Sequence, residues 1–341
     1  MTDMQVPHEP IRSEDDFIRE YLAPLSRGFA GSQMLADDCA ILPPEPGADF
    51  VLKTDPVAEG VHFLPGTAPQ DVAWKALAVN VSDLAAKGAE PRAYLMALSF
   101  PVVPARSWMA AFVSGLADAQ SAFGCHLIGG DTDVRPGPLS ISITIIGAVP
   151  TGRLVARTGA RPDDGVFVSG TIGDAGLGLE SCRGGGTGWP IDVAARTDLE
   201  QRYSRPQPRL ALRQALRDHA TAAMDVSDGL VKDFGRLCRA SGCAGRLFAD
   251  QVPLSPPARA IVTADPPRLA RLMAAGDDYE VLCTVPADRE TAFLDAAARA
   301  SVAMTRIGAM FAGTPAVAVL DRDGRRIEIE GGGWDHFGPP R

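Results

Sequence analysis

Residues 222–230, AAMDVSDGL, constrain the fold most. An apolar run ends there in Asp225, Ser227 and Asp228 and passes at once into a helical pattern. A strand feeding a helix through a polar junction is the repeating unit of α/β architecture, where ligands gather outside strand ends and at helix starts. Acidic groups recur in similar settings at 36–40 (ADDCA), 53–55 (KTD), 80–83 (NVSD) and 128–132 (IGGDT). Read as further junctions, they predict acids converging on divalent metal and polyphosphate.

The patterning between them is that of an α/β chain. Ser13 is placed to cap a helix over 13–22, with acids in its first turn where the helix dipole favours them. Strands are expected at 36–42, 50–55, 92–100 and 125–131, and at 139–145, where LSISITI alternates strictly. Helical spacing marks 70–88 and 104–123. A first domain, 1–150, is expected to end near Pro150, and residues 1–12 to form a loose arm. A turn-rich basic stretch, 151–165, leads into a second domain, 151–341. That domain is expected to hold a strand at 166–169, a helix from Asp174, a flexible loop at 184–188, helices at 208–219 and 229–240, a strand near Leu247, and short strands toward the end.

A chain of 341 residues is long enough for two ordinary cores. With 33 Lys and Arg against 42 Asp and Glu, the net charge of −9 argues against a nucleic-acid surface. That balance would also repel phosphates unless cations intervene. The six cysteines are scattered, with no metal-ligand spacing, and read as buried small residues of a reducing compartment. Residues 1–10 lack a signal-peptide core and no run nears the length of a membrane span, so no membrane partner and a cytoplasmic location are expected.

Mg²⁺ takes hard oxygen ligands and bridges one or two carboxylates to substrate phosphates. Asp38, Thr54, Asp55, Asp83, Asp131, Asp225 and Asp228 are candidates of the right chemistry, and so many acids near a phosphate chain imply several ions. Taken singly, an Asp before a helix is more often a cap, and a doublet such as Asp37–Asp38 a solvated turn. Recurrence is what favours a site. Walker-type phosphate loops and an H-R-D motif are absent, so nucleotide chemistry would need another architecture.

Six ordered blocks, 33–40, 54–63, 75–89, 127–132, 225–230 and 276–280 (GDDYE), resemble thiamine-monophosphate kinases, a family sharing its fold with aminoimidazole ribonucleotide synthetase. The resemblance spans residues 13–338. It implies a two-domain aminoimidazole ribonucleotide synthetase-like α/β fold of α+β character, with an N-terminal sheet that pairs across a homodimer and a C-terminal α/β domain over the cleft. It also implies phosphoryl transfer from ATP to thiamine monophosphate, giving thiamine diphosphate and ADP. By the same resemblance the seven acidic and hydroxyl candidates hold Mg²⁺, and Gly130, Asp131, Arg157 and Ser227 contact the nucleotide. His62, Asp277 and Trp334 contact thiamine phosphate, while Asp131, Asp225 and Arg157 serve catalysis. In isolation His62 reads as a packed or capping residue and Trp334 as a packing residue.

Two positions depart from the family pattern. Lys53 stands where a small hydroxyl residue is usual, so a fixed cation partly replaces a metal ligand. Asp277 stands for the usual Glu, one methylene shorter, and a weaker or displaced substrate contact is expected there. The rival readings are another ATP-using enzyme of the same fold and a non-catalytic thiamine-phosphate binder.

Overall fold

The computed structural model describes Ile11, residues 13–329 and residues 333–334. The arm expected at 1–12 lies, apart from Ile11, outside the described residues. Two compact units emerge: residues up to Val81 with Glu90–Gly152, and Ser82–Ala89 with residues from Arg153 onward.

The first unit is a four-stranded mixed sheet built from β1 (Ala48–Ala58), β2 (Glu90–Phe100), β3 (His126–Val134) and β4 (Ser140–Pro150), in the order β1-β4-β2-β3. Only β2 and β3 run parallel. Short helix α1 (Glu14–Phe17) starts at Ser13, whose hydroxyl accepts the Asp16 N–H at 3.1 Å, and continues as a π-helix over Ile18–Leu22. Helices α2 (Pro69–Ala86) and α3 (Arg106–Phe123) supply Asn80, which accepts the Asp55 N–H at 3.0 Å, and Gln120, which accepts the Tyr94 hydroxyl at 2.7 Å. These two helices approach so closely that a β-carbon at Gly115 would stand 2.3 Å from the Gln70 carbonyl oxygen. Part of the opposite sheet face packs Ala93, Ile128 and Ile146 against Phe29, Ala40 and Leu42. Beyond that cover Leu52 (66%) and Leu95 (39%) remain exposed.

The second unit carries a six-stranded sheet of order β10-β7-β9-β5-β8-β6. Its strands are β5 (Gly165–Ser169), β6 (Ala222–Asp225), β7 (Ala244–Phe248), β8 (Val281–Val285), β9 (Met304–Phe311) and β10 (Val317–Leu320). Its helices are α4 (Asp174–Cys182), α5 (Val193–Ser204), α6 (Arg213–His219), α7 (Leu230–Ser241), α8 (Pro256–Ala264), α9 (Arg268–Met273) and α10 (Glu290–Arg299). Strand alternation divides the core in two. Val166, Val168, Met224 and Leu282 face Leu230, Phe234 and Leu237 of α7, whereas Phe167, Ala223, Val281 and Cys283 face Leu216 of α6 and Phe293 of α10. Burying each large α7 side chain stabilises by roughly 2 kcal/mol, which makes α7 a fixed platform for the loop before it.

Four of the five expected junctions are not strand-to-helix junctions. Residues 36–42 form no strand: the Ile41 N–H goes to the Gly31 carbonyl, and the Asp37 carboxylate accepts the Cys39 N–H at 3.2 Å, so local bonds replace a ladder. Thr54 and Asp55 lie mid-strand, because β1 is an edge strand and tolerates Pro56. Asp83 lies inside α2, and β3 runs through Gly130 and Asp131 to Val134 before β4, with no helix between. Only 222–230 has the expected form. Cys125, Cys238, Cys243 and Cys283 are buried as expected, but Cys39 and Cys182 are exposed. Among the described residues no helix is long and apolar enough to cross a membrane.

Candidate functional site

In the second unit β6 ends at Asp225, opposite Val281 of β8. Past that pair the two chain segments stay joined. The Val226 N–H donates to the Glu280 carbonyl, the Tyr279 N–H to the Val226 carbonyl, and the Asp277 N–H to the Ser227 carbonyl, at 2.8, 2.8 and 2.9 Å. Gly276 is required by this approach, since a β-carbon there would stand 2.5 Å from the Ser227 carbonyl oxygen. The Trp334 N–H in turn donates to the Asp228 carbonyl at 2.8 Å, and the Lys232 ammonium donates to the Trp334 carbonyl. Main-chain bonds therefore gather Asp225, Ser227, Asp228, Asp277 and Trp334 around one loop.

The electrostatics of that loop differ from residue to residue. Asp225 is 4% exposed and accepts the Ser82 hydroxyl at 2.7 Å. Burial first, and then the neighbouring Asp83 carboxylate, push its pKa well above the usual carboxylate range. A buried carboxylate with a second carboxylate beside it has the hard-oxygen chemistry that suits a divalent cation. Asp228 is already paired, with Arg236 at 2.5 Å and Lys232 at 3.5 Å, so a metal there would have to displace side-chain cations. Beneath it, buried Asp233 accepts the Ser227 and Asp228 N–H groups at 3.0 and 2.9 Å, and burial pushes its pKa up to about 6. Asp233 was not among the sequence candidates, although an acid in the first turn of a helix after a polar loop is a recognisable cap signal. Arg157 is exposed beside β6: the preceding carbonyl, of Ala156, accepts the Ala223 N–H at 3.0 Å.

The first unit distributes its candidates differently. Lys53 and Asp55, two apart in β1, share a face and form an ion pair at 3.1 Å. Thr54 points to the other face, its hydroxyl 2.7 Å from that of Thr144 on β4. Gly130 lies against β2, where a β-carbon would meet the Met96 carbonyl oxygen at 1.8 Å, and exposed Asp131 pairs in register with Ala97. β1 and β3 are opposite edges of the sheet, separated by β4 and β2. Three interstrand spacings amount to about 14 Å, beyond what a threonine or aspartate on β1 and Asp131 can span to share one ion within a chain. Asp38 is exposed in the bend after the 3₁₀ segment Ala30–Leu35, and His62 Nδ1 accepts the Ala58 N–H at 3.1 Å, the capping role read for it in isolation. Among the described residues no three His, Cys, Asp or Glu side chains form a metal cage. Mg²⁺ does not need one, since waters and phosphates supply its remaining ligands.

Two matches to family models divide the chain in the same order. One described as AIR synthase related protein, N-terminal domain, matches residues 36–149, and one described as AIR synthase related protein, C-terminal domain, matches residues 161–320. The thiamine-monophosphate kinase of Caulobacter vibrioides is 40% identical over 337 residues, 98% of this chain and 94% of its own length. The crystal structure of thiamine-monophosphate kinase from Stenotrophomonas maltophilia superposes with a TM-score of 0.78 at 37% identity, covering 92% of this chain and 96% of that one. A structure of AaThiL complexed with AMPPCP and TMP gives 0.75 at 34% identity, covering 88% and 91%.

Proposed function

The chain belongs to the AIR synthase related family and, within it, to the thiamine-monophosphate kinases, and on that premise we propose that it transfers the γ-phosphoryl group of ATP to thiamine monophosphate, yielding thiamine diphosphate and ADP. The observation that carries this reading is likeness over 98% of the chain to a relative matched over 94% of its own length.

The acceptor is a phosphate monoester with a second pKa near 6, so its attacking oxygen is already ionised at neutral pH and no general base is required. The chain's task is then to align donor and acceptor in line and to hold the charge that gathers between them. Asp83 and Asp225 would hold one divalent ion, a role supported by the burial of Asp225 beside a second carboxylate. Asp38, Thr54, Asp55, Asp131 and Asp228 complete the proposed ligand set. Mg²⁺, when bound, would supply neutralisation of the polyphosphate and a template for transfer. Gly130, Asp131, Arg157 and Ser227 would engage the nucleotide, with Arg157 offsetting polyphosphate charge. His62, Asp277 and Trp334 would receive thiamine monophosphate. The main-chain bonds that join Asp277 to Ser227 and Trp334 to Asp228 support that grouping.

A homodimer paired through the first unit's sheet is supported by exposed Leu52 and Leu95 beside Thr54 and Thr144. A partner sheet would also offer an Asp131 not confined to the far edge of the same sheet as Asp55. The N-terminal domain is proposed to bind ATP and metal and the C-terminal domain to complete the cleft, in a cytoplasmic protein that engages neither membrane nor nucleic acid. Incubation with ATP, Mg²⁺ and thiamine monophosphate, followed by chromatography for thiamine diphosphate and ADP, tests the reaction. Tight binding of thiamine monophosphate without product would identify a non-catalytic binder instead.

A further inference from the structure

The loop entering β8 carries two strained residues in three. Asp277 has φ +70° and Tyr279 φ +51°, a left-handed conformation that costs a residue bearing a β-carbon about 1–2 kcal/mol. Such strain persists only where the surroundings fix it. Here Asp278 and Glu280 turn inward as anchors. The buried Asp278 carboxylate accepts the Gly173 N–H at 2.8 Å and the Ala175 N–H at 3.3 Å, at the start of α4. Glu280, 1% exposed, accepts Arg202 Nη2 and Arg209 Nε at 2.7 Å each, and the Ser169 hydroxyl. The main-chain bonds to Val226 and Ser227 hold the same loop from its other side.

With its backbone so held, the Tyr279 side chain folds back and its hydroxyl donates to Asp277 Oδ1 at 3.1 Å. The terminal torsion of an aspartate is broad, so a directional O–H donor narrows the orientations its carboxylate can take. Tyr279 is 7% exposed, which keeps bulk water from competing for that bond. We propose that Tyr279 is a positioning residue for thiamine monophosphate: its hydroxyl sets the orientation in which Asp277 meets the substrate, and so adapts a shortened acid to this site. The proposal rests on the functional reading above. It gives the left-handed aromatic position a use, since a residue held at φ +51° has its phenol within hydrogen-bonding reach of residue 277.

Tyr279→Phe keeps the ring and its packing and removes one oxygen. Expected in the full-length protein is a five- to tenfold rise in KM for thiamine monophosphate and in its calorimetric Kd, with kcat and KM for ATP unchanged and the melting temperature retained. Asp277→Ala should weaken the same ligand, and Tyr279→Phe added to it should have no further effect, because alanine removes the acceptor through which the hydroxyl acts. Thiamine monophosphate binding at the wild-type level in Tyr279→Phe would overturn the proposal, as would strictly additive effects or an equal change toward ATP. A wild-type protein that neither binds nor phosphorylates thiamine monophosphate would instead overturn the functional reading, and the positioning role with it.

Discussion

Replacing Glu280 by glutamine tests the anchor on which the loop at 276–280 depends. Its carboxylate is buried and faces two guanidinium groups whose side chains are 25% and 24% exposed. Glutamine keeps the shape and one acceptor oxygen but removes the charge and turns an NH₂ toward a cation. Breaking a buried ion pair from one side costs about 3–5 kcal/mol; the partial exposure of both arginines places this case near 3 kcal/mol. For a unit of this size each kcal/mol moves the melting temperature by about 2–4 °C, so the transition of the second unit should fall by about 10 °C at pH 7. Calorimetry should resolve that transition, and Arg209→Met in the Glu280→Gln background should recover part of the loss by removing an orphaned cation. The pH dependence has a definite sign. Burial alone would raise the Glu280 pKa, but the hydrogen bonds and charge of Arg209, then the charge of Arg202, outweigh it and hold it below the ordinary 4.5. A depressed acid contributes stability that is fully present above the ordinary value and is lost as pH falls through the folded one. The gap between wild type and variant should therefore be constant above about pH 5 and close below 4.5. A loss under about 1 kcal/mol at pH 7, or a gap that widens in acid, would refute the reasoning.

Two further outcomes follow from the proposed metal sites. Asp225→Asn retains an acceptor for Ser82 but removes a charge that burial disfavours, so stability should hold or rise while kcat falls about 10²–10³-fold, the usual loss on removing one electrostatic stabiliser; near-normal turnover would take Asp225 out of the site. Lys53→Ser releases Asp55 from a half-exposed pair worth a few tenths to 1 kcal/mol, so half-saturation by Mg²⁺ should move about two- to fivefold lower, and an unchanged titration would show that Lys53 does not compete for Asp55.

The long helices and most strands were legible because their periodicity is written in consecutive residues. The helix expected over 70–88 is α2, and the alternating run at 139–145 falls in β4 from Ser140 onward. The junctions at 53–55 and 128–132 misled because an apolar run closed by an acid looks like a strand end wherever it occurs. Whether a strand stops there depends on its neighbour. β1 continues past Pro56 because its outer edge needs no donor, and Gly130 marks close contact with Met96 rather than the end of β3. Asp233, Asp278 and Glu280 were missed for a related reason: their partners are backbone amides and arginines that no local pattern associates with them.

By itself the sequence determined the kinds of group available: hard oxygen donors, no thiol or imidazole cage, and six ordered blocks shared with one enzyme family. Which of those groups meet was decided only by tertiary structure. Ser82 and Asp225 are 143 positions apart and become hydrogen-bond partners when the last turn of α2 joins the second unit, with Asp83 beside them. The same carboxylate that water would keep ionised in an extended chain is pushed by burial and a like charge toward its protonated form, and burial is a property of the packed fold alone.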